Sequence, residues 1–217
     1  ELAEVFFFSS SGGRTEAAKN VWTADLPYLQ SVEDKYEDSS SKNYTWEKVL
    51  SIDKVRDILI SKGNNVGDVV GIEINNTSEA GRVIKLTVIG IEDHKEFVKA
   101  RCRELFSLPS QWYTISTDAD AIALSSYDGM KKKFQVGGKK VVTINGLKDI
   151  KLDKKVTVLG ENNAIRTICT VPTNFIFNGR GYGHAVGMSQ QGAKGMAMEG
   201  FLYDEILKHY FLGTTIE

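Results

Sequence analysis

The sequence predicts an α+β fold rich in β-structure, in which mixed or antiparallel sheets and several short helices enclose a cleft. Three observations lead to this prediction. Short alternating apolar runs recur along the chain, turn pairs containing glycine separate many of them, and helical periodicity is confined to a few short segments. The 217 residues are enough for one large domain or two small ones. We expect a single domain over residues 1–217, with a β-rich subdomain over residues 112–171 as an option.

Composition excludes several classes of protein. The chain is 41% hydrophobic and 25% charged, as in ordinary soluble proteins. Its net charge of −1 provides no basic field for nucleic acid, so we expect no nucleic-acid partner. No apolar run reaches the roughly 18 residues that a membrane-spanning helix needs. Cys102 and Cys169 lie far apart and lack metal-ligand spacing, so two separate buried thiols are favoured over a disulfide. We expect neither a metal nor a cofactor.

The first sixty residues contain clear start and stop signals. The apolar run Val5–Phe8 predicts a buried strand end, and Ser9–Glu16 predicts a turn that leads into a short helix over Glu16–Asn20. Ser51 is a suitable N-cap for a helix that runs to Ser61 and stops at Gly63.

The next segment alternates between strand and helix signals. Gly67–Ile74 and Gly81–Gly90 predict two paired strands. Asp93 and Glu96 have the spacing of a capping box, so we expect an amphipathic helix that ends near Pro109. The apolar face of that helix would carry Val98, Cys102, Leu105 and Phe106.

The remaining part of the chain is β-like and then helical. The predicted strands are Tyr113–Thr117, Ala121–Ser125, Lys140–Ile144 and Lys155–Leu159. The turn pairs that separate them are Asp128–Gly129, Gly137–Gly138 and Asn145–Gly146. Near the end of the chain, helices are predicted from about Ser189 to Met198 and over Asp204–Phe211.

The segment Gly179–Ala193 carries the densest chemical signal. Glycine at alternate positions lets the backbone approach a ligand closely or adopt positive φ. His184 occupies the place of the third glycine of a dinucleotide fingerprint, and no βαβ unit follows, so that function is rejected. Ser189 as an N-cap would leave helix N–H groups for an anion, and Ser189 and Gln190 suit sugar recognition. Alternatively, His184 bonds a carbonyl group and the glycines only allow tight packing.

Ser9–Glu16 is the second candidate. Its tight turn would present Ser11, Arg14 and Glu16 together, with Arg14 placed to bind a carboxylate and Glu16 to act as an acid or base. The plainer alternative, in which Thr15 caps a helix and Glu16 complements its dipole, is favoured when this segment is taken alone. Aromatic residues that could stack on sugar rings, or equally fill the core, are Trp22, Tyr28 and Trp46.

The two segments together resemble the stage II sporulation protein D (SpoIID) and amidase-enhancer family. The first family signature matches Phe7–Glu16, and the second matches Gly179–Ala193, with Ala185 in place of one glycine. Arg103–Ser110 and Ile206–Tyr210 resemble two further family stretches, so the resemblance runs along the whole chain. Phe8 and Ser11 stand where relatives can carry His and Cys, which makes a metal site unexpected.

The resemblance implies a protein that acts on peptidoglycan. Sporulation members are lytic transglycosylases that cleave glycan strands lacking stem peptides, and the alternative is a non-catalytic module that enhances an amidase. The family's catalytic glutamate lies upstream of the position of Glu1, so we expect the chain to be a domain without its amino-terminal segment. Glu16 is the candidate acid within the chain. The substrate-binding candidates are Ser11, Arg14, Glu16, Tyr182, His184, Ser189 and Gln190.

The resemblance also implies where the protein works and with what. We expect it outside the cytoplasm, at the cell wall or at the surface of the membrane that engulfs the forespore, with any anchor outside this chain. Its expected partners are peptidoglycan glycan strands and other sporulation cell-wall hydrolases.

Overall fold

The structure, a computed structural model, describes residues 2–119, 121–125, 131–135, 140–143, 145–149, 155–159 and 163–216. It contains strands and several short helices, with the strands largely in consecutive runs, which confirms the predicted α+β class. The helices are α1 (Ala18–Val21), α2 (Ile52–Ser61), α3 (Arg101–Glu104), α4 (Gln190–Met198) and α5 (Tyr203–Tyr210). The strands are β1 (Phe7–Phe8), β2 (Thr45–Ser51), β3 (Val69–Thr77), β4 (Val83–Gly90), β5 (His94–Val98), β6 (Tyr113–Thr117), β7 (Ala121–Ser125), β8 (Lys131–Gln135), β9 (Lys140–Thr143), β10 (Gly146–Asp149), β11 (Val156–Leu159), β12 (Ile165–Ile168), β13 (Asn174–Arg180) and β14 (Met188–Ser189).

Two antiparallel sheets of three strands make up most of the strand pairing among the described residues. One has the order β2-β13-β6 and the other the order β3-β4-β5. Three antiparallel pairs join β7 to β8, β9 to β10 and β11 to β12, whereas the short β1 and β14 pair in parallel. Antiparallel sheets with short helices were expected, and this part of the prediction is confirmed. The enclosed cleft stays a prediction.

Helix α2 forms as its capping signals predict. The Ser51 hydroxyl accepts a hydrogen bond from the Lys54 backbone N–H at 3.2 Å, which satisfies one of the free donors of the first turn. Val55 and Leu59 are buried against the core, and the helix ends before Gly63, which has a φ of +70°.

The helix predicted from Asp93 is wrong. Its first part is instead strand β5, which pairs with β4 and buries Phe97. Lys99 then takes a φ of 53°, which stops the strand, and α3 is only four residues long. The edge of β4 offers backbone hydrogen-bonding partners to the whole of His94–Val98, and that long-range pairing overrides the local capping signal.

The core consists of two clusters. The larger lies between the two three-stranded sheets, α2 and α3, and contains Val55, Leu59, Val83, Leu86, Val88, Phe97, Cys102, Phe106, Tyr113, Phe175 and Phe177, among others. The smaller joins α1 to the two terminal helices through Ala18, Val21, Leu29, Val186, Met196, Ile206, Tyr210 and Phe211. The run Val5–Phe8 is less buried than predicted, because only Phe8 is buried and Phe7 is 60% exposed.

The β-rich region enters and leaves the fold at one place. Strands β6 and β13 are neighbours, and the chain between them leaves the sheet after Thr117 and returns at Asn174. Asp118 links the two ends: its carboxylate accepts hydrogen bonds from the backbone N–H groups of Thr173 at 2.7 Å and Asn174 at 2.9 Å, and from both side chains. The subdomain over residues 112–171 stays a prediction.

Several other predictions fall in this region. β6 and β7 have the predicted bounds, and Asn145–Gly146 lies where β9 passes into β10. The turns predicted at Asp128–Gly129 and Gly137–Gly138 lie outside the described residues. Cys102 and Cys169 are separate thiols, as predicted, but of the two only Cys102 is buried, and Cys169 is partly exposed. Burial raises the pKa of the Cys102 thiol to about 12. In the described ranges no helix is both long and apolar enough to cross a membrane.

Candidate functional site

The two motif loops pair with each other through their backbones. Ser10 and Tyr182 exchange hydrogen bonds, with N to O distances of 3.1 and 2.8 Å. The Glu16 N–H donates to the carbonyl of Ala185 at 2.7 Å, and the parallel pairing of β1 with β14 extends the contact. The segments Ser9–Glu16 and Gly179–Ala193 therefore form one backbone-paired unit, although most of the chain separates them in sequence.

Glycine is required where these loops cross. A Cβ atom on Gly12 would lie 2.9 Å from the backbone N of Gly181, and one on Gly181 would lie 2.9 Å from the carbonyl oxygens of Ser10 and Ser11. Both residues have positive φ, at +70° and +78°. The glycines thus allow the two backbones to touch, which is the packing alternative for this motif.

The third stretch with family resemblance, Arg103–Ser110, contacts the same unit. The Gly183 N–H donates to the Pro109 carbonyl at 2.9 Å, and the Ser110 hydroxyl donates to the Arg180 carbonyl at 2.6 Å. Three stretches that are distant in sequence therefore meet at one place in the structure.

Ser11 faces the interior of the protein. It is fully buried, and its hydroxyl donates to Oε2 of the buried Glu37 at 2.8 Å. The same carboxylate oxygen accepts the backbone N–H groups of Ser11 and Gly12, each at 2.9 Å. The Ser11 side chain thus fixes the loop and has no surface to offer a ligand in this conformation. Neither Glu37 nor this contact was predicted, because nothing near Glu37 in the sequence marks its distant partners.

A buried arginine supports the loop from the other side. The Arg82 guanidinium is 1% exposed and donates to the carbonyls of Ser11 at 2.8 Å, Arg14 at 2.6 Å and Thr15 at 3.2 Å. Burial lowers its pKa to about 10, and the nearby charge of Glu16 partly opposes this shift. Arg82 therefore remains charged near neutral pH. Sequence patterns did not single it out, because its targets are backbone carbonyls, which leave no sequence signal.

Arg14 and Glu16 share a pocket of about 390 Å³, which we call the Arg14 pocket. The Arg14 Nε–H donates to the Ser31 hydroxyl at 2.9 Å. The lining of the Arg14 pocket is mostly polar and consists of Arg14, Glu16, Ala17, Lys19, Asn20, Gln30, Ser31, Thr77, Ser78, Glu79 and Ala80. Hydroxyl, amide, cationic and carboxylate groups in one depression suit a polyhydroxylated ligand that bears an anion.

The Glu16 carboxylate is held by three donors. Oε1 accepts from the Ala17 N–H and from the Asn20 amide, each at 2.9 Å, and Oε2 lies 2.5 Å from the Ser78 hydroxyl. The side chain is 1% exposed. This geometry suits a group that orders its surroundings better than one that delivers a proton to a substrate, and the catalytic role of Glu16 stays a prediction. Ser78 was missed, since only the fold brings it to Glu16.

His184 lies beside the glycine loop and packs between aromatic rings. Its ring centre is 5.5 Å from that of Phe8 and 5.1 Å from that of Trp22. Nδ1 accepts the Val186 N–H at 3.1 Å, so that nitrogen carries no proton. Burial lowers the pKa of His184, the charge of Arg103 adds to this effect, and a backbone hydrogen bond near Phe7 opposes it. The neutral ring thus orders the turn at Ala185, whose φ of 67° is unusual for a residue other than glycine.

The remaining site candidates lie apart from the Arg14 pocket. Ser189 is fully buried and caps α4, as predicted, by accepting the Gly192 N–H at 3.1 Å. Gln190 is exposed at the start of that helix, and Tyr182 is 50% exposed. None of these three lines the Arg14 pocket, nor does His184. Among the described residues, no group of three or more His, Cys, Asp or Glu side chains could hold a metal ion.

Sequence comparison adds named relatives to this geometry. No protein-family model matches the chain. It is 27% identical over 213 residues to stage II sporulation protein D of Bacillus subtilis (strain 168), covering 98% of this chain and 45% of that protein. The protein of the same name from Bacillus amyloliquefaciens is 26% identical, covering 98% of this chain and 44% of that protein. The amidase enhancer of Bacillus subtilis is 26% identical over 233 residues, covering 99% of this chain and 30% of that protein.

The chain thus spans less than half the length of these relatives. The matches nevertheless cover nearly all of it, including the three stretches that meet in the structure. Similarity along nearly the whole chain to proteins of both names supports its assignment to the stage II sporulation protein D and amidase-enhancer family.

Proposed function

We propose that this chain binds glycan strands of peptidoglycan and forms part of a lytic transglycosylase that acts on denuded strands in the sporulating cell wall. The observation that carries the proposal is the Arg14 pocket, which sits on the backbone-paired motif loops shared with the family. Its polar lining suits sugar hydroxyl and acetamido groups, and its arginine suits the lactyl carboxylate of N-acetylmuramic acid.

Arg14 has the central role in this proposal. Its Nε–H is held by Ser31, which leaves the other guanidinium N–H groups to bind a carboxylate. The Arg82 and Glu37 contacts hold the loop that carries it, so the pocket is preorganised before the ligand binds.

Bond cleavage requires a proton donor. In the reaction that the family resemblance implies, a carboxylic acid protonates the glycosidic oxygen as the bond from that oxygen to the anomeric carbon breaks. The muramyl 6-hydroxyl attacks the anomeric carbon and passes its proton to a base, which yields a 1,6-anhydromuramyl end. The three donors around Glu16 favour an acid outside this chain, in keeping with the upstream glutamate of the family.

The proposal includes a location and partners. We place the protein outside the cytoplasm, at the cell wall or the surface of the forespore-engulfing membrane, where denuded strands occur. Other sporulation cell-wall hydrolases are its proposed partners. An amidase would supply the substrate, because removal of stem peptides produces denuded glycan.

The test uses the full-length protein and denuded glycan strands, with mass spectrometry of the soluble products. We expect anhydromuramyl ends, and release of reducing ends by hydrolysis would contradict the reaction. Arg14→Ala should weaken binding about tenfold, the typical effect of losing one charge-assisted hydrogen bond. Arg56→Ala is the matched control, because Arg56 lies on α2 and pairs with Asp53 and Asp68. Equal binding by the Arg14→Ala and Arg56→Ala variants would show that Arg14 does not contribute to glycan binding.

The second candidate is a non-catalytic module that binds the wall and enhances an N-acetylmuramoyl-L-alanine amidase. The relative named amidase enhancer, matched over 99% of this chain, favours it. Faster release of stem peptides by an added amidase, with glycan binding but no anhydromuramyl product, would select this candidate over the enzyme.

A further inference from the structure

A second and larger depression lies beside the Arg14 pocket. It has a volume of about 780 Å³ and lies between the β2-β13-β6 sheet and the end of the β3–β4 hairpin. Two tryptophans are the largest of its lining residues, which are Thr45, Trp46, Glu47, Ile74, Thr77, Gly81, Trp112, Tyr113, Thr114, Asn178, Gly179 and Arg180. We call it the tryptophan groove.

Ser110 holds both tryptophans in place. The Trp46 indole N–H lies 3.3 Å from the Ser110 hydroxyl oxygen, and the Trp112 backbone N–H lies 3.2 Å from the same atom. That hydroxyl donates to the Arg180 carbonyl at 2.6 Å. The Trp46 ring and the backbone of Trp112 are thus fixed before any ligand binds, which lowers the entropy cost of using them as a binding surface.

The backbone leaves room for the two rings. A Cβ atom on Gly179 would lie 2.2 Å from the Trp46 ring, and one on Gly81 would lie 2.9 Å from Nε1 of Trp112. Side chains at these two positions would displace the indoles. The first glycine of the motif Gly179–Ala193 therefore accommodates a tryptophan, a role distinct from the loop crossing at Gly181.

Polar groups surround the aromatic surface. The exposed Arg180 guanidinium stacks on the Trp112 ring, with its carbon 3.5 Å from the ring centre, and the buried Arg82 guanidinium carbon lies 4.7 Å from the same centre. Glu47, Asn178 and Thr114 form an exposed row across the three strands, because Asn178 pairs with each of the other two. Apolar ring faces beside a few fixed amide, hydroxyl and charged groups match the two sides of a sugar ring.

The groove and the Arg14 pocket meet at Thr77, which lines both. The end of β3 and the turn after it therefore lie between Glu16, which lines the Arg14 pocket, and Trp112, which lines the groove. A ligand with several linked units can occupy both depressions, whereas a single sugar cannot.

We propose that the tryptophan groove binds further N-acetylhexosamine units of the same glycan strand. The Trp46 ring and the stacked side chains of Trp112 and Arg180 would lie against the sugar rings, and the Arg180 N–H groups would face a lactyl carboxylate. This inference rests on the proposed function and extends it. Arg180 favours this occupant, because its exposed guanidinium can pair with a carboxylate, which a denuded strand carries on every second sugar; the other charged lining residue, Glu47, would accept hydrogen bonds from sugar hydroxyl or acetamido groups. Specificity for long strands follows, because only a long strand fills both sites.

The test measures affinity by calorimetry for two probes, denuded glycan strands and chitohexaose, which has no carboxylate. Trp112→Ala should weaken binding of both probes roughly tenfold. Asn178→Trp, which fills the groove from an exposed position, should do the same if Trp112→Ala fails to fold. Arg180→Gln should weaken binding of denuded strands only. Tyr203→Ala is the control, because Tyr203 is a 72% exposed aromatic residue on α5 that does not line the groove.

Intrinsic fluorescence locates the ligand independently. The chain has three tryptophans, and Trp22 packs against Phe6 and His184 away from the groove. In a Trp22→Phe variant the emission comes from Trp46 and Trp112 alone, and we expect it to shift when denuded strands are added.

The outcomes separate the two proposals. Wild-type binding that Trp112→Ala and Asn178→Trp leave unchanged, together with a loss in Arg14→Ala, overturns the groove and keeps the proposed function. A wild-type protein that binds neither probe overturns both. Loss in the groove variants with normal binding by Tyr203→Ala supports the groove.

Discussion

A Cβ atom on Gly12 would lie 2.9 Å from the backbone N of Gly181, so these two residues bring the Ser9–Glu16 and Gly179–Ala193 loops into backbone contact. Hydrogen bonds on either side, from Tyr182 to Ser10 and from Glu16 to Ala185, lock this contact. The Arg14 pocket depends on this backbone contact, because Arg14 and Glu16 follow Gly12 closely in the same loop.

Gly12→Ala should destabilise the protein by about 2–4 kcal/mol, from positive-φ strain and from a clash in a packed region. Gly63→Ala is the matched control: Gly63 also has a φ of +70°, but nothing lies within 4 Å of its added Cβ. We expect Gly63→Ala to cost only about 1 kcal/mol. Urea unfolding measures both, and equal losses would show that the contact with Gly181 contributes nothing.

Glu37→Ala should cost about 3 kcal/mol, because it leaves the buried N–H groups of Ser11 and Gly12 without their acceptor. Glu37→Gln keeps an oxygen at the position that accepts these bonds, and we expect a loss of only about 1 kcal/mol. Thermal and urea unfolding test the pair. Equal losses in the two variants would mean that the charge of Glu37, which both substitutions remove, matters and that its acceptor geometry does not.

The helices show which parts of the fold are predictable from sequence. Helix α2 begins after Ser51, and α4 begins after Ser189, because each cap and its first turn are local in sequence. The same local reasoning failed at Asp93. There the segment His94–Val98 pairs with β4, and its capping box could not reveal that a strand edge would be available.

The site shows a similar division. The motif residues Arg14 and Glu16 were found from sequence and lie in one pocket. Ser78 and Arg82, which bind the same loop, were not found, because their partners lie more than sixty residues away along the chain. Ser11 and Ser189 were predicted as ligand-binding groups, whereas both are fully buried and bond to the protein itself. A polar residue in a motif has the same sequence signal whether it faces a ligand or the backbone.

His184 should make the stability depend on pH. Its pKa is lowered in the folded state, mainly by burial, so the unfolded state binds the proton more tightly. Stability should therefore fall as the pH drops from about 6.5, the unfolded value, toward the lower folded pKa. His184→Asn retains an acceptor for the Val186 N–H and does not titrate, so its stability should change less over this range.

Urea unfolding of both proteins at a series of pH values, with ring resonances followed by NMR, tests this prediction. The other two histidines, His94 and His209, are present in both proteins and cancel in the comparison. Parallel stability curves for wild type and variant would contradict a lowered pKa at His184.

Asp118→Asn should weaken the link between the end of β6 and the start of β13, where the chain leaves the β2-β13-β6 sheet and returns to it. Burial alone would raise the pKa of Asp118, but hydrogen bonds from Thr173 and Asn174 outweigh it and hold the pKa well below its usual range. The carboxylate therefore stabilises the fold at pH values above about 3.9, the pKa of Asp118 in the unfolded state. This contribution is lost as the pH falls toward the lower pKa of Asp118 in the folded state. We expect a loss of roughly 1 kcal/mol at neutral pH, modest because the group is exposed, and a smaller difference near pH 3.

Asp38→Asn is the control, because Asp38 accepts hydrogen bonds from Ser40 only two residues away and closes no long loop. The loss of unfolding free energy in Asp118→Asn could be no greater than in Asp38→Asn, or could persist unchanged in acid. Either result would exclude a stabilising link by Asp118 between the end of β6 and the start of β13.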